Sequence, residues 1–386
     1  MEFTETSEQQ ELRRVVAELS AKYGWQYTRA KSATHEPMAE LWDEAGKLGF
    51  LGVNLPAEYG GGGVGMYELA IVAEELNAGG TGLLMMVVSP AIVGTILARF
   101  GTDGQRSRWL PGLASGESIV AFGITEADAG SNSHRITTTA RRDGPDWLLS
   151  GRKTFISGVD QAEAVLVVGR TEDARDGTLQ PALFLVPTDA PGFEFTPIEM
   201  DIAMADRQFQ LFLDDVRLPA EALVGEDPDT ALWQLFAGLN PERIMAAAGS
   251  IGSTRYALDK AVNYAKQRQV WDVPIGAHQG ISHPLAQIKV EMELAKLMLQ
   301  KAATIYDAGD DRGAGEAANM AKYAAAEVAV RAIDQAVQTH GGNGLASDYG
   351  LGALLGSIRL GRIAPVSREM LLNFVAQSSL GLPKSY

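Results

Sequence analysis

The chain has no cysteine, which excludes disulfides, thiolate nucleophiles, iron–sulfur clusters and cysteine-ligated zinc and suits a reducing compartment. Histidine is scarce. His35, His134, His278, His283 and His340 show no metal-ligand spacing, so no metal site is expected. No run of about 18 apolar residues occurs, which argues against a membrane span, and Met1 to Arg14 mixes charges of both signs without the apolar stretch of a signal peptide. Basic charge is in deficit. A formal net charge of −15 repels polyanions, which argues against nucleic acid and anionic membrane as partners. Any anionic ligand must therefore find a local cationic pocket. No Gly-x-Ser-x-Gly elbow is present. The expectation is a soluble, cytoplasmic protein.

What is present is strongly patterned. With 46% hydrophobic residues among 386, the chain can bury more than one core and should divide into two or three domains. Leu12, Val15, Val16 and Leu19 share one helical face, and Ser7 with Gln10 has capping-box spacing, so the chain opens with an amphipathic helix. Further helical periods run over about 37–48, 66–78, 83–99 and 103–113. At Ser118 the pattern changes. Short β-rich runs at 119–124, 147–149, 164–168, 182–186, 193–197 and 209–212, with turn clusters such as Asp143-Gly144-Pro145, read as a small β-domain. After Pro228 the 3.6-residue period returns over roughly 231–267, 283–306, 315–339 and 347–380. The expected fold class is α+β: an N-terminal all-α domain over 1–118, a central antiparallel β-domain over 119–226 and a C-terminal four-helix bundle over 227–386.

The run Ala121-Phe-Gly-Ile-Thr125-Glu126-Ala-Asp-Ala-Gly130-Ser131-Asn132 ends a strand and enters a tight polar loop. Its hydroxyls, glycine and backbone N–H groups could approach a flat ligand; an ordinary β-to-loop turn is the alternative. This run resembles the Thr-Glu-Pro-x-Ala-Gly-Ser-Asp signature of acyl-CoA dehydrogenases. Four further segments, in the same order, are similar to that family. Pro56-Ala-Glu-Tyr-Gly60-Gly61 resembles its Pro-Glu-x-x-Gly-Gly turn; Gly60 to Gly65 is no phosphate loop, since no strand precedes it and no Gly-Lys-Ser follows. Gly151-Arg-Lys153-Thr-Phe155-Ile-Ser157 resembles Gly-x-Lys-x-Trp-Ile-Thr. Tyr264-Ala-Lys-Gln-Arg268-Gln-Val-Trp271 through Gln279 resembles the Tyr-x-x-x-Arg-x-x-Phe segment, and Gln338-Thr-His340-Gly341-Gly342-Asn343-Gly344 the Gln-x-x-Gly-Gly-x-Gly loop.

The resemblance implies FAD and a coenzyme A thioester held between two helical domains and a β-domain. By it, Phe122, Ile124 and Thr125 line the flavin, Phe155 packs beside the ring and the Ser157 hydroxyl lies near the N5 atom that accepts hydride. Arg268 would hold the FAD pyrophosphate of a neighbouring subunit, a task that suits a permanently charged fork of N–H donors. Trp271 and Gln279 would contact the adenosine half, and Gln338, Gly341 and Gly342 would bring bare backbone to the dinucleotide. Taken singly, these residues also read as a solvated arginine, a helix C-cap and a turn. The implied partners are an acyl-CoA, an electron-transferring flavoprotein and further copies in a homotetramer or dimer of dimers. Two departures, Gly356-Ser357 for the family's Arg-Asp and Asn132 for its Asp, bear on subunit packing.

The family's reaction needs a carboxylate to take the α-proton. Most members carry it in an aromatic-Glu-Gly-Thr motif, which aligns with Ala364-Pro365-Val366-Ser367, so the glutamate position holds a proline and Ser367 stands at the cofactor-contacting threonine. A minority, the isovaleryl- and long-chain-type members, supply the base from the preceding long helix, immediately before an arginine. Glu242-Arg243 stands there. Glu242 is therefore the expected base, with Arg243, Asn240 and Ser131 on the substrate; a solvated helical ion pair is the plainer alternative. α,β-Dehydrogenation of an acyl-CoA is the leading reading. An enoyl-CoA reductase, an oxidase or monooxygenase, and a non-catalytic subunit of a heteromer remain alternatives.

Overall fold

The structure, a computed structural model, describes residues 4–173, 177–225 and 230–384. The boundary expected at 226/227, with Pro228, lies outside the described residues. Helix α1 (Ser7–Thr34) is capped by Thr6, whose hydroxyl accepts from the Gln9 N–H while the Gln9 side chain accepts from the Thr6 N–H. The capping box thus sits one residue before the expected Ser7/Gln10 pair, because Ser7 already belongs to the first turn. After α2 (Ala39–Lys47), helix α3 (Met66–Ala78) receives the Val16 and Leu19 face of α1. The run expected as one helix over 83–99 is α4 (Leu84–Met86), a π-helical segment Val87–Gly94 and α5 (Thr95–Phe100). Pro90, lacking an N–H, cannot join the α ladder and sits in the widened stretch. Helix α6 (Asp103–Ser115) ends at Gly116, φ +83.

The central sheet has seven strands: β1 (Val120–Gly123), β2 (Thr139–Asp143), β3 (Asp146–Ser157), β4 (Ala164–Glu172), β5 (Leu179–Pro187), β6 (Phe193–Ile198) and β7 (Gln208–Leu218). Strand β2 has no counterpart among the expected runs, since Arg141 and Arg142 leave it almost without an apolar face. It forms a hairpin with β3 through the expected Asp143-Gly144-Pro145 turn. The sheet is antiparallel, β4–β5 included, except that β4 runs parallel to β1 and meets β2 in parallel at Thr139 and Arg170. The β2–β3 hairpin between β1 and β4 supplies the long connection that parallel pairing needs.

The C-terminal domain is built on α7 (Ala231–Gln267), α8 (Gln279–Asp307) and α9 (Asp311–His340), with a small hairpin of β8 (Gln269–Val270) and β9 (Val273–Pro274) joining the first two. A fourth long helix over 347–380 does not form. The chain there breaks into short pieces, α10 (Leu354–Arg359) and α11 (Arg368–Phe374) among them. Gly350 turns at φ +68 and Pro365, preceded by a cis peptide bond, has no N–H to carry a helix onward. Among the described residues no helix is long and apolar enough to cross a membrane.

The helical domains meet without a gap. Gly252 of α7 sits so close to α3 that an added Cβ would lie 2.2 Å from the Glu74 carbonyl oxygen. Around this contact Glu74 and Glu75, 2% and 4% exposed, are shared by Arg13 of α1, Arg255 of α7 and, for Glu74, Lys296 of α8. Glu5 also bonds Arg13. Three cations thus neutralise three carboxylates and tie four segments together.

Candidate active site

The strand β1 ends at Gly123 and the chain leaves the sheet as a loop that must be held by something other than a ladder. A buried carboxylate does this. Glu126 accepts the backbone N–H and hydroxyl of both Thr137 and Thr138, and the Lys153 ammonium at 2.9 Å. Burial alone would raise the Glu126 pKa, but these donors hold it down, to about 2. Lys153 also donates to the Ile124 carbonyl at 3.0 Å, and the Thr154 N–H to that of Thr125 at 2.9 Å. Phe122, Ile124, Thr125, Phe155 and Ser157 are thereby brought together on the joined ends of β1 and β3. Neither member of the ion pair was assigned a role from sequence, although both lie inside the recognised segments.

Phe155 occupies an irregularity in the β3–β7 register, at φ +56, with its ring 56% exposed. A non-glycine residue in left-handed conformation holding an aromatic ring in solvent is strained and unburied at once, which marks a docking face. Ser157, two residues on, donates its hydroxyl to the Gln208 side-chain carbonyl at 3.0 Å and keeps its lone pairs available. Ser131 lies on the exposed part of the same loop, just before the short helical turn Ser133–Arg135.

Asn240, Glu242 and Arg243 stand about a third of the way along α7, where Pro241 interrupts the helix's donors. The Ala237 carbonyl, which would receive the N–H of residue 241, instead accepts the Tyr306 hydroxyl at 3.3 Å. Arg99, paired with Asp311, steadies Tyr306 from the side. Asn240 donates to the Asp311 carbonyl at 2.9 Å and accepts from Arg243 at 3.2 Å, so its amide orients Arg243. The break is thus repaired, and two consecutive charged residues are presented from it. Tyr306 and Asp311 come from the far end of α8 and the start of α9, and the one hint of them in the sequence is that a mid-helix proline leaves a carbonyl needing a donor.

Glu242 is half-buried and, among the described residues, hydrogen-bonded to none. Burial pushes its pKa up to about 7, against the pull of Arg243 and of Lys322 on α9. The Arg243 Nε is buried without a partner. Ser367 caps α11 by accepting the Met370 N–H at 3.3 Å, and Lys322 donates to the carbonyl of the preceding Val366. Helix α7 reaches the sheet through the Val87–Gly94 segment: Gly238 leaves no room for a Cβ against Ile92 and Ile96, and Ser89 accepts the N–H of Val120 in β1.

The other expected contacts are elsewhere. Arg268 caps the end of α7, 26 residues and about 39 Å of helix from Glu242. Gln279 opens α8 and Gln338 closes α9, at the same end of the bundle. Trp271 and Asp272 form the β8–β9 turn with φ of +51 and +63, a geometry that favours Asn-Gly, and the indole is 82% exposed. Beside it, Tyr264 stacks on His340 at 4.2 Å and accepts from Asn343, bracing the turn in which Gly341 and Gly342 have open space where a side chain would begin. Bare backbone and an exposed indole suit an extended aromatic ligand with a phosphate bridge, but the Glu242 region of the same chain lies too far away for both groups to contact one reacting centre. Among the described residues no group of three or more histidine, aspartate or glutamate side chains could hold a metal ion.

Family models for the N-terminal, middle and C-terminal domains of acyl-CoA dehydrogenase match residues 6–117, 121–216 and 234–380. The chain is 67% identical to acyl-CoA dehydrogenase FadE12 of Mycobacterium tuberculosis over 100% of its own length and 99% of the relative's. Among solved structures it is similar to a glutaryl-coenzyme A dehydrogenase in complex with glutaryl-CoA, with TM-score 0.94, 30% identity and coverage of 100% and 98% of the two chains. It is also similar to a glutaryl-CoA dehydrogenase of Mycobacterium smegmatis in complex with FADH2, with TM-score 0.92, 28% identity and coverage of 99% and 97%.

Proposed function

Since the chain belongs to the acyl-CoA dehydrogenase family, we propose that Glu242 is its catalytic base and that the first third and the C-terminal end of α7 serve two different cofactor sites in an oligomer. The protein is an FAD-dependent flavoprotein oxidoreductase that dehydrogenates an acyl-CoA thioester. When bound, FAD supplies the acceptor for the hydride of the thioester's β-carbon. The chain's own residues must do the rest.

The observation that carries the assignment is the state of Glu242: half-buried, free of hydrogen bonds among the described residues and poised near pH 7. A base in that range is strong enough to take an α-proton and weak enough to be free of its own proton at neutral pH. Pro365, at the family's usual base position, can do neither. Arg243, oriented by Asn240 and with its Nε unsatisfied, offers donors to the polar part of the thioester, and Ser131 to the CoA chain. On the other side of the substrate, the exposed Phe155 ring and Ser157 hydroxyl form the face for the flavin, with Phe122, Ile124, Thr125 and Ser367 at its edges.

Arg268, Trp271, Gln279, Gln338, Gly341 and Gly342 fit a dinucleotide tail, and their distance along α7 from Glu242 supports a reading in which that tail belongs to the FAD of a neighbouring copy. Helix α8 supports this with an apolar stripe, Val290, Leu294 and Leu297, that is exposed in the single chain. We assign the electron acceptor to an electron-transferring flavoprotein. The test is anaerobic stopped-flow reduction by saturated acyl-CoA. Glu242→Gln should keep its FAD and slow flavin bleaching by about 100-fold or more; bleaching at the wild-type rate would remove Glu242 from the role.

A further inference from the structure

Lys322 lies on α9 within a face of small residues, Ala318, Ala321, Ala325 and Ala326, and is 1% exposed. Its ammonium donates to one carbonyl, that of Val366, and among the described residues it has no carboxylate at ion-pair distance. Enclosing an ammonium with a single hydrogen bond is costly. An apolar side chain of the same length would pack against those alanines without the cost, so filling space does not account for the charge. Glu242 and Arg243 of α7 and Glu369 of α11 lie within its electrostatic reach, and Glu242 lies within that of Arg243 and, more weakly, Lys322.

Resting on Glu242 as the base, we infer that Lys322 is its positioning residue: pinned to Val366, the ammonium fixes the tail segment 364–367 on α9 and supplies the enclosed positive field that keeps the Glu242 carboxylate charged. After Arg243, the buried lysine is the second counter-charge of a carboxylate that, among the described residues, accepts no hydrogen bond. Burial brings the Lys322 pKa down to about 8, so the cation persists through the interval in which Glu242, at about 7, gives up its proton. Without that charge Glu242 keeps its proton to higher pH. The acid limb of the rate profile must then move upward, whereas a purely structural lysine would change stability and leave the limb in place.

The test uses FAD-loaded enzyme and a saturated straight-chain acyl-CoA that bleaches the wild-type flavin, followed from about pH 5.5 to about pH 9. Lys322→Gln keeps a donor for Val366 and loses the charge; Lys322→Met keeps the stem and loses both. Each is expected to shift the acid limb up by about one pH unit, which is about ten-fold in rate near pH 6. At the alkaline plateau Lys322→Met should fall below Lys322→Gln, as Val366 is released. A limb unmoved in a folded, FAD-containing variant overturns the inference while leaving Glu242→Gln to decide the base separately. A measurement that needs no variant stands beside it. The wild-type limb should hold its position between about 10 mM and about 500 mM salt, because an enclosed cation is little screened; a limb that slides with salt would assign the field to surface charges instead.

Discussion

In the role proposed for Glu242, its pKa links rate to stability. Only the carboxylate can accept a proton, so the rate of flavin reduction should fall about ten-fold per unit below a pH near 7 and level off above it. Stability should run the other way. The folded-state pKa is raised to about 7 from an ordinary value of 4.5, so the fold favours the protonated form; the contribution is complete below the unfolded pKa and is lost as pH rises through 7. Glu242→Gln, which cannot ionise, should therefore melt at a higher temperature than the wild type near pH 8, with an upper bound of about 3 kcal/mol, and the gain should vanish near pH 4. Calorimetry at the two pH values checks it. The proposal of Glu242 comes from two positions in the sequence taken together: a proline where the family's usual base stands, and a Glu-Arg pair in the preceding helix. Lys322 was not legible there. A single lysine in an alanine-rich helix reads as a solvated face, and only the packing of α9 turns it inward.

At the scale of the element, the first third of α7 shows how a break can be put to use. Pro241 removes one rung, and the Tyr306 hydroxyl replaces it from α8. Tyr306→Phe keeps the ring and leaves the Ala237 carbonyl without its partner, so it should cost about 1–2 kcal/mol in denaturant unfolding and reduce the rate of flavin bleaching more than FAD binding, since the base moves with this stretch of the helix. Elements with a sustained period were read well from sequence: α3 and α7 begin and end where their apolar patterns do. Those that failed had local reasons. Strand β2 carries two arginines and takes its order from the β3 hairpin, and the last stretch of the bundle has a helical pattern that Gly350 and Pro365 cut into pieces. The turn at Trp271 and Asp272 could not be foreseen, because the first position, which in such a turn favours Asn, holds a bulky tryptophan at φ +51.

Over the whole molecule, the first and last domains are joined by charge as well as by apolar packing. Arg13 and Arg255 approach the same two buried carboxylates from opposite helices. Each can partly cover for the other. Arg13→Met and Arg255→Met should each destabilise by about 2 kcal/mol, and together by clearly more than the sum, because the double change leaves Glu74 with Lys296 and, among the described residues, Glu75 with no cation. Chemical denaturation of the double-mutant cycle measures the excess.

Helix α7 carries Glu242 in its first third and Arg268 at its C-terminal cap, too far apart to attend the same reacting centre. Two crippled proteins, one bearing Glu242→Gln and one bearing Arg268→Ala, would then be crippled in different halves of a shared workplace. Unfolded together and refolded as a mixture, they should recover part of the lost turnover, since some hybrids bring an intact glutamate and an intact arginine to one flavin. Each protein refolded by itself should recover none, and a mixture as inert as its parents would show that every chain keeps its cofactor to itself.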